Sequence, residues 1–383
     1  MIKNETLNNA EIYEIELISH AGRSEYIHEI FNGFDIYEDI QSHFLYGYLS
    51  LTDTSDIMKN FPIVGGEEVR ILFGDNKTRS ARFVDFVIKG VEPQPNTVEE
   101  NNRQYYYTFK LVSKASLDGS LIKFSRRYNN TVFSILQDFL SLVGSYRVLN
   151  VLSDFEQMDF VANNWSIHQI LDYICYKNSD TLIFETIDKM VAAKLRDLVI
   201  QEPVEELIHS HTLDTATLHN SVLLRTFASY FDIEKLAQMG ALGTTAYQVS
   251  PDKYSHKKEQ KALNDIYDNE YPMMGASQIF HDSISHPLNN VIATFENPDT
   301  RIERNLILNT LKNYQLVVKT NGVATRNVGQ VITYNMPSSD RSGQNANFEG
   351  DWLITQIRHM IGADKRYVQN IKLFKNAFFN RRS

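Results

Sequence analysis

Two runs of short strand-like segments, one towards each end of the 383-residue chain, constrain its fold more than any other feature. In the first run, Tyr46–Leu51 is followed by Gly66-Glu67-Glu68-Val69 entering a strand, then by Ala81–Val91 and Tyr105–Val112. In the second, Gln315–Thr320 is followed by Gly329-Gln330-Val331 entering a strand, then by Trp352–Ile361 and Tyr367–Phe374. Gly66 stands 45 residues before Leu111, and Gly329 stands 44 before Leu373. Phe109-Lys110-Leu111-Val112 also resembles Ile371-Lys372-Leu373-Phe374. Repeated order at repeated spacing is the signature of an internal duplication. Each run reads as a barrel or sandwich of short strands. Gly65, Gly66 and Gly329 are the candidate structural bends, where a tight turn calls for φ > 0; the plainer reading is three ordinary loop glycines.

Between the runs the periodicity changes. Tyr13, Ile15 and Leu17 alternate with Glu14 and Glu16 as in a half-buried strand, but Val132, Phe133, Leu136, Phe139, Leu140 and Val143 recur at helical spacing behind a Thr131 cap. A second helix is predicted from Ser166, its cap, to Lys177, followed by a strand over Thr181–Glu185. Strand signals return at Ser221–Phe231. The stretch Gly240–Thr300 is polar, includes Ser255-His256-Lys257-Lys258-Glu259-Gln260-Lys261, and reads as a loop-rich insertion. A helix over Ile302–Asn313 then enters the last strands. The expected fold class is α+β and β-rich: a first barrel over 1–112, a mixed α/β domain over 113–217, a second barrel from 218–239 and 303–376, an insertion over 240–302 and a tail over 377–383.

Composition narrows the function. With a net charge of −9 and scattered bases, the chain lacks the basic stripe of a phosphate binder. Tyr and Phe number 20 and 22 against 2 Trp, which suits strands and protein interfaces. No apolar run reaches the ~20 residues of a membrane-spanning helix. Met1-Ile2-Lys3-Asn4-Glu5 carries no apolar segment, so no signal peptide is expected. The single cysteine, Cys175, lies in an apolar run and reads as a buried hydrophobe.

Catalytic patterns are missing. The sequence contains no phosphate loop, no nucleophile elbow and no His-Glu-x-x-His zinc helix. His209, His211 and His219 near Asp214, and His281 and His286 around Asp282, read as solvated loop histidines, since a zinc site needs convergent ligands. Glu205-Glu206 and Glu99-Glu100 sit in polar contexts, unlike a glycosidase pair. Lys257-Lys258 and Arg381-Arg382 read as solvated doublets. The expectation is no catalytic residue, no metal and no cofactor.

The order of these features resembles the baseplate central hub proteins of contractile-tailed phages, which are similar in turn to the hub portion of type VI secretion spike proteins. The resemblance is carried by Leu45-Tyr46-Gly47-Tyr48-Leu49-Ser50-Leu51-Thr52-Asp53 followed by Phe61-Pro62-Ile63-Val64-Gly65-Gly66-Glu67-Glu68-Val69-Arg70-Ile71. Asn163-Asn164-Trp165-Ser166-Ile167-His168-Gln169-Ile170-Leu171 and the segment Arg304–Phe374 carry it further. It implies two tail-tube-like barrels per chain and a homotrimer that adapts a sixfold tail tube to a threefold central spike. Its partners would be the spike, the tube protein, the tape-measure protein and surrounding wedge proteins, with DNA only in passage and no membrane insertion. The setting would be the virion tail baseplate, assembled in the host cytoplasm. Glu67, Glu68, Glu99 and Glu100 are candidate channel-facing acids that would repel passing DNA. Two other readings compete: a tail-associated peptidoglycan hydrolase, and a distal tail or receptor-binding protein.

Overall fold

The computed structural model describes residues 9–53, 60–61, 63–75, 78–94, 105–213, 219–228, 243–250, 255–262, 291–294, 298–311, 314–336 and 348–375. The first strand group comprises β1 (Ala10–Ile18), β2 (Ser24–Tyr26), β3 (Phe31–Asp39), β4 (Tyr46–Asp53), β5 (Glu68–Asp75), β6 (Ala81–Gln94) and β7 (Tyr105–Ser113). Alternation drives them: Leu49 and Leu51 of β4, and Val69, Ile71 and Phe73 of β5, are fully buried, whereas Tyr46 faces out.

The middle region comprises α1 (Lys114–Leu121), β8 (Phe124–Asn130), α2 (Val132–Leu142), β9 (Val148–Val151), β10 (Met158–Trp165), α3 (Ile167–Lys177), β11 (Thr181–Glu185), β12 (Lys189–Lys194) and α4 (Leu195–Val199). Thr131 caps α2 through Ser134 N–H, and Ser166 with Gln169 forms a capping box on α3. α3 buries the face expected from its spacing, with Cys175 in the same core; α2 buries Val132, Leu136, Phe139 and Leu140 as expected, but exposes Phe133 and buries Ile135 in its place.

The rest comprises β13 (Glu205–His209), β14 (Asn220–Ala228), β15 (Gly243–Ser250), β16 (Ser255–Ala262), β17 (Val291–Thr294), α5 (Pro298–Thr310), β18 (Tyr314–Asn321), β19 (Val331–Asn335), β20 (Gly350–Gly362) and β21 (Tyr367–Phe374). The segment read as loop-rich holds a three-stranded sheet, β16-β15-β17. Ser255–Ala262 is almost entirely polar, so its strand carries no apolar alternation to betray it.

Two expectations about the barrels are corrected. First, the strand groups are not separate: they form one 13-stranded sheet, ordered β19-β13-β14-β18-β21-β20-β3-β4-β7-β6-β5-β1-β2. Second, among the described residues only the later group closes on itself, because β19 pairs with both β13 and β20 to complete a six-stranded barrel. β13, assigned by sequence to the middle domain, is a stave of that barrel; Pro203 and a single buried apolar residue, Leu207, hide it. The earlier group stays open, although its far edge returns to the β20–β21 turn at Asn9–Arg366, with Ala10 N–H donating to Lys365 O at 2.7 Å.

Five strands of each group nonetheless follow the same path. The order β5-β6-β7-β4-β3 matches β19-β20-β21-β18-β14, and every neighbouring pair is antiparallel in both. β6 carries a bulge between Ile88 and Gly90 opposite Leu111 and Lys110. β20 carries one between Ile354 and Gln356 opposite Leu373 and Lys372. A bulge shifts register by one residue and is kept only where it is needed. Ahead of it, Gly66 N–H donates to Ile88 O and Ile88 N–H to Glu67 O, both at 2.9 Å. Gly329, Ile354 and Gln330 repeat that pattern at the same 2.9 Å distances.

Candidate functional site: the seam between the strand groups

The seam is built where β3 lies antiparallel to the second half of β20, from Asp39↔Gln356 to Gly33↔Gly362. Phe34, Ile36 and Glu38 share the inward face of β3, so the alternation that buries two apolar side chains also buries an acid. Glu38 is 1% exposed and accepts from two backbone amides: Ile187 N–H at 3.1 Å, in the β11–β12 turn, and Val328 N–H at 2.9 Å, in the loop before β19. One carboxylate thereby ties the first group to the middle region and to the barrel. Loss of its oxygens would strand two buried donors, each costing about 1–3 kcal/mol.

Beside it a second buried set fixes the same loop. His359 Nδ1 lies 2.8 Å from Tyr367 Oη, and Gln369 Nε2 donates to Val323 O at 3.0 Å. Burial holds the Tyr367 hydroxyl protonated well above the usual phenol range. Arg326, 2% exposed, donates to Asn321 O at 3.1 Å and to Glu205 Oε2 at 2.7 Å. From the first group, Asp75 accepts from Ala324 N–H at 2.8 Å, and Arg82 donates to Ala324 O at 2.9 Å and to Asp188 at 2.7 Å. On the outer face, Arg358 reaches diagonally to Asp35 at 2.7 Å and lies over the Tyr37 ring. Every acid here has a partner, which is the arrangement of a structural joint.

The sequence-predicted residues fall elsewhere. Gly65, Gly66 and Gly329 have φ of +103°, +91° and +81°. Glu67 is no channel-facing acid: it is 2% exposed, and its carboxylate accepts from Val64 N–H at 2.8 Å and Gly65 N–H at 3.0 Å. Gln330 caps the corresponding bend through Asn327 N–H at 2.9 Å. Glu68 is half-buried and paired with Lys114 and Arg70, so its charge is compensated. Glu99 and Glu100 lie outside the described residues, as do Asp214, His281, Asp282, His286 and the Arg381-Arg382 doublet. Lys257 and Lys258 are on β16.

His209 and His211 approach one another, but His209 faces Tyr334 Oη at 3.2 Å and His219 faces Glu206 O at 3.0 Å. Burial and the neighbouring His211 hold the His209 imidazole below its usual range. Among the described residues no three His, Cys, Asp or Glu side chains converge as metal ligands. Cys175 is buried, and burial pushes its thiol up to about 11, far from a nucleophile's range. Glu205 is bound to Arg326 and Glu206 accepts from Asn335 at 3.1 Å, so the doublet is split between two partners.

No protein-family model and no curated protein sequence matches the chain. Solved structures do. A 43 kDa tail protein of a Shewanella oneidensis prophage superposes with a TM-score of 0.58 at 13% identity, over 95% of this chain and 98% of that one. The fold is that of phage tail proteins. A tail protein from Neisseria meningitidis aligns at TM-score 0.55 and 11% identity, covering 94% of this chain and 96% of its own. A prophage tail protein from Listeria monocytogenes aligns at 0.51 and 8%, covering 97% and 95%. At such identities side chains have diverged almost entirely, so what is shared is the path of the backbone.

Proposed function

We propose that the chain is a structural hub subunit of a contractile phage tail baseplate and not an enzyme. Three copies would form a ring that joins the sixfold tail tube to the threefold central spike and lines the passage for DNA. The observation that carries this reading is the repeated five-strand path with its repeated bulge. A chain with two like units lets three copies offer six like surfaces, so no tube subunit faces an unpaired edge. The tail-protein fold and the fully partnered buried acids support the same reading.

In this reading the tube, spike, tape-measure and wedge proteins are the partners, and the virion tail is the location. The first strand group, completed by its contact with the β20–β21 turn, acts as the first tube-like unit, and the closed barrel as the second. The bends at Gly65, Gly66 and Gly329 shape the entry to corresponding strands. The net charge of −9 keeps DNA from adhering.

The deciding measurement is the solution mass of the purified protein, alone and with the adjacent spike protein, combined with micrographs of particles carrying labelled chain. A trimer on the tail axis is expected. A monomer under both conditions, or label at the tail periphery, would sink the hub reading in favour of a receptor-binding role. Release of soluble fragments from purified cell wall would sink the non-enzymatic part.

A further inference from the structure

The second barrel is closed by a strand with little apolar surface to hold it. β13 lies parallel to β19 from Glu205↔Ile332 to Ile208↔Asn335, and parallel to β14 only at Ile208↔Asn220 and His209↔Ser221. Parallel pairing is slightly the less stable kind per residue. Leu207 is the single buried residue of the strand, and Ile208 is 44% exposed. In the first group the strand at the same place, β1, runs antiparallel to β5 from Ala10↔Asp75 to Ile18↔Glu68 and buries Ala10, Ile15 and Leu17.

What attaches β13 is mostly polar. Arg326 donates to Glu205 Oε2 at 2.7 Å, Asn335 to Glu206 Oε1 at 3.1 Å, and Ser221 Oγ to Ile208 O at 3.1 Å. His209 Nδ1 lies 3.2 Å from Tyr334 Oη, and His219 Nδ1 lies 3.0 Å from Glu206 O. Water can take the place of such partners when a strand leaves, so their net hold is modest. Departure would not strand the buried Arg326, which keeps Asn321 O at 3.1 Å and Gln369 Oε1. What would remain is a plan the molecule already uses: without β13 the strands run β19-β20-β21-β18-β14, the path that β5-β6-β7-β4-β3 follow in the first group, which stays open.

We propose that β13 is a detachable stave: the barrel has a closed form and an open form, and β13 passes between them while the other strands stay folded. Both forms belong to a single chain and need neither a ring nor a partner. Closed, β13 covers the edge of β19 and the start of β14. Open, it bares both, and bare edges recruit other strands. The release of β13, held back by the Glu205–Arg326 pair, then decides when those edges become available.

Hydrogen exchange on the full-length protein tests this. The amides of Val204, Ile208 and Ser210, which donate to Val331 O, His219 O and Ser221 O at 2.9, 2.7 and 2.8 Å, report on the stave, and the β18–β21 ladder reports on the barrel. The stave amides should exchange roughly a hundredfold faster or more, with little response to dilute denaturant, because local opening exposes little surface. Glu205→Gln should speed the stave by roughly threefold or more and leave the ladder unchanged, since a hydrogen bond to a charged group is the stronger kind. Glu206→Cys with Thr333→Cys, at facing positions of β13 and β19, should lock the stave as a disulfide and bring its exchange down towards that of the ladder. Stave and ladder amides that exchange together in the wild type, with the same denaturant dependence, would mean that β13 leaves only when the barrel unfolds, and would overturn the stave. Fast exchange that the oxidised cysteine variant does not slow would overturn it as well, because those amides would then exchange without the strand departing.

Discussion

The two strand groups follow one backbone plan with different side chains. Phe86 and Trp352 occupy the same place, each 0% exposed, and Glu67 and Gln330 cap the same bend through different head groups. The groups part company at the sixth strand. β1 runs antiparallel to β5, whereas β13 runs parallel to β19 and lets the second group close. Hydrogen-bond direction and the bulge have outlasted residue identity. A core position tolerates any apolar side chain of suitable volume, but a one-residue shift in register turns a strand inside out.

Large-to-small substitutions strike this comparison hardest. Phe86→Ala and Trp352→Ala should each cost about 3–5 kcal/mol. Because β3 and β20 share one sheet, each variant should lower a single unfolding transition, followed by circular dichroism and by tryptophan fluorescence. Two separate transitions would mean that the halves are independent units and the seam is weak.

The paired glycines come next. An added Cβ at Gly329 would lie 2.8 Å from Phe184 Cζ in the core, whereas at Gly66 it would meet the exposed His20 ring at 2.9 Å. Both positions also need φ > 0. Gly329→Ala should therefore cost about 2–4 kcal/mol and Gly66→Ala about 1–2 kcal/mol by denaturant titration. Equal costs would mean that Phe184 gives way as easily as a surface imidazole.

The smallest effect concerns the ends of β7 and β21. At matching positions stand Ser113, which caps α1 through Ser116 N–H, and Lys375, 3% exposed above the Trp352 ring. Burial pushes the Lys375 amine down to about 8. Its folded value lies below the ordinary one near 10.4, so between about pH 8 and 10 the unfolded chain holds more protons and stability rises with pH. Below pH 8 the buried charge is a standing cost. Lys375→Met should flatten that rise, by an amount on the order of 1 kcal/mol. An identical pH profile in both proteins would mean the amine reaches water.

Much of this architecture was legible because alternation and capping are local signals. β4 and the first half of β5 alternate buried and less buried positions, and the Ser166–Gln169 box marks its helix. The repeated order was legible too, since each Gly-led bend enters its strand by a similar phrase. β13 and β16 escaped because their partners supply their stability and their own residues carry little pattern. The seam escaped because strand pairing across most of the chain leaves no trace in any window. A trace of its chemistry was there: Phe34, Ile36 and Glu38 share one face of β3, and Ile357, His359 and Ile361 one face of β20. A titratable residue on the apolar side of an alternating strand announces a buried partner, whereas Glu67 was misread because a carboxylate between two glycines and a strand looks like surface.

The seam also sets a timetable for the growing chain. Gln356 must find Asp39 across 317 residues, and at roughly 5–20 residues per second the ribosome needs about 16–63 seconds to bridge that interval. For most of that time β3 waits at the rim of a half-built sheet with its acid, Glu38, lacking the amide of Val328, 290 residues further on. The nascent protein thus spends most of its synthesis with an open margin that carries Asp35 and Asp39 on one face and Glu38 on the other. Charges on an open strand edge disfavour pairing with another chain, so the acids that later lock the joint also suit that interval.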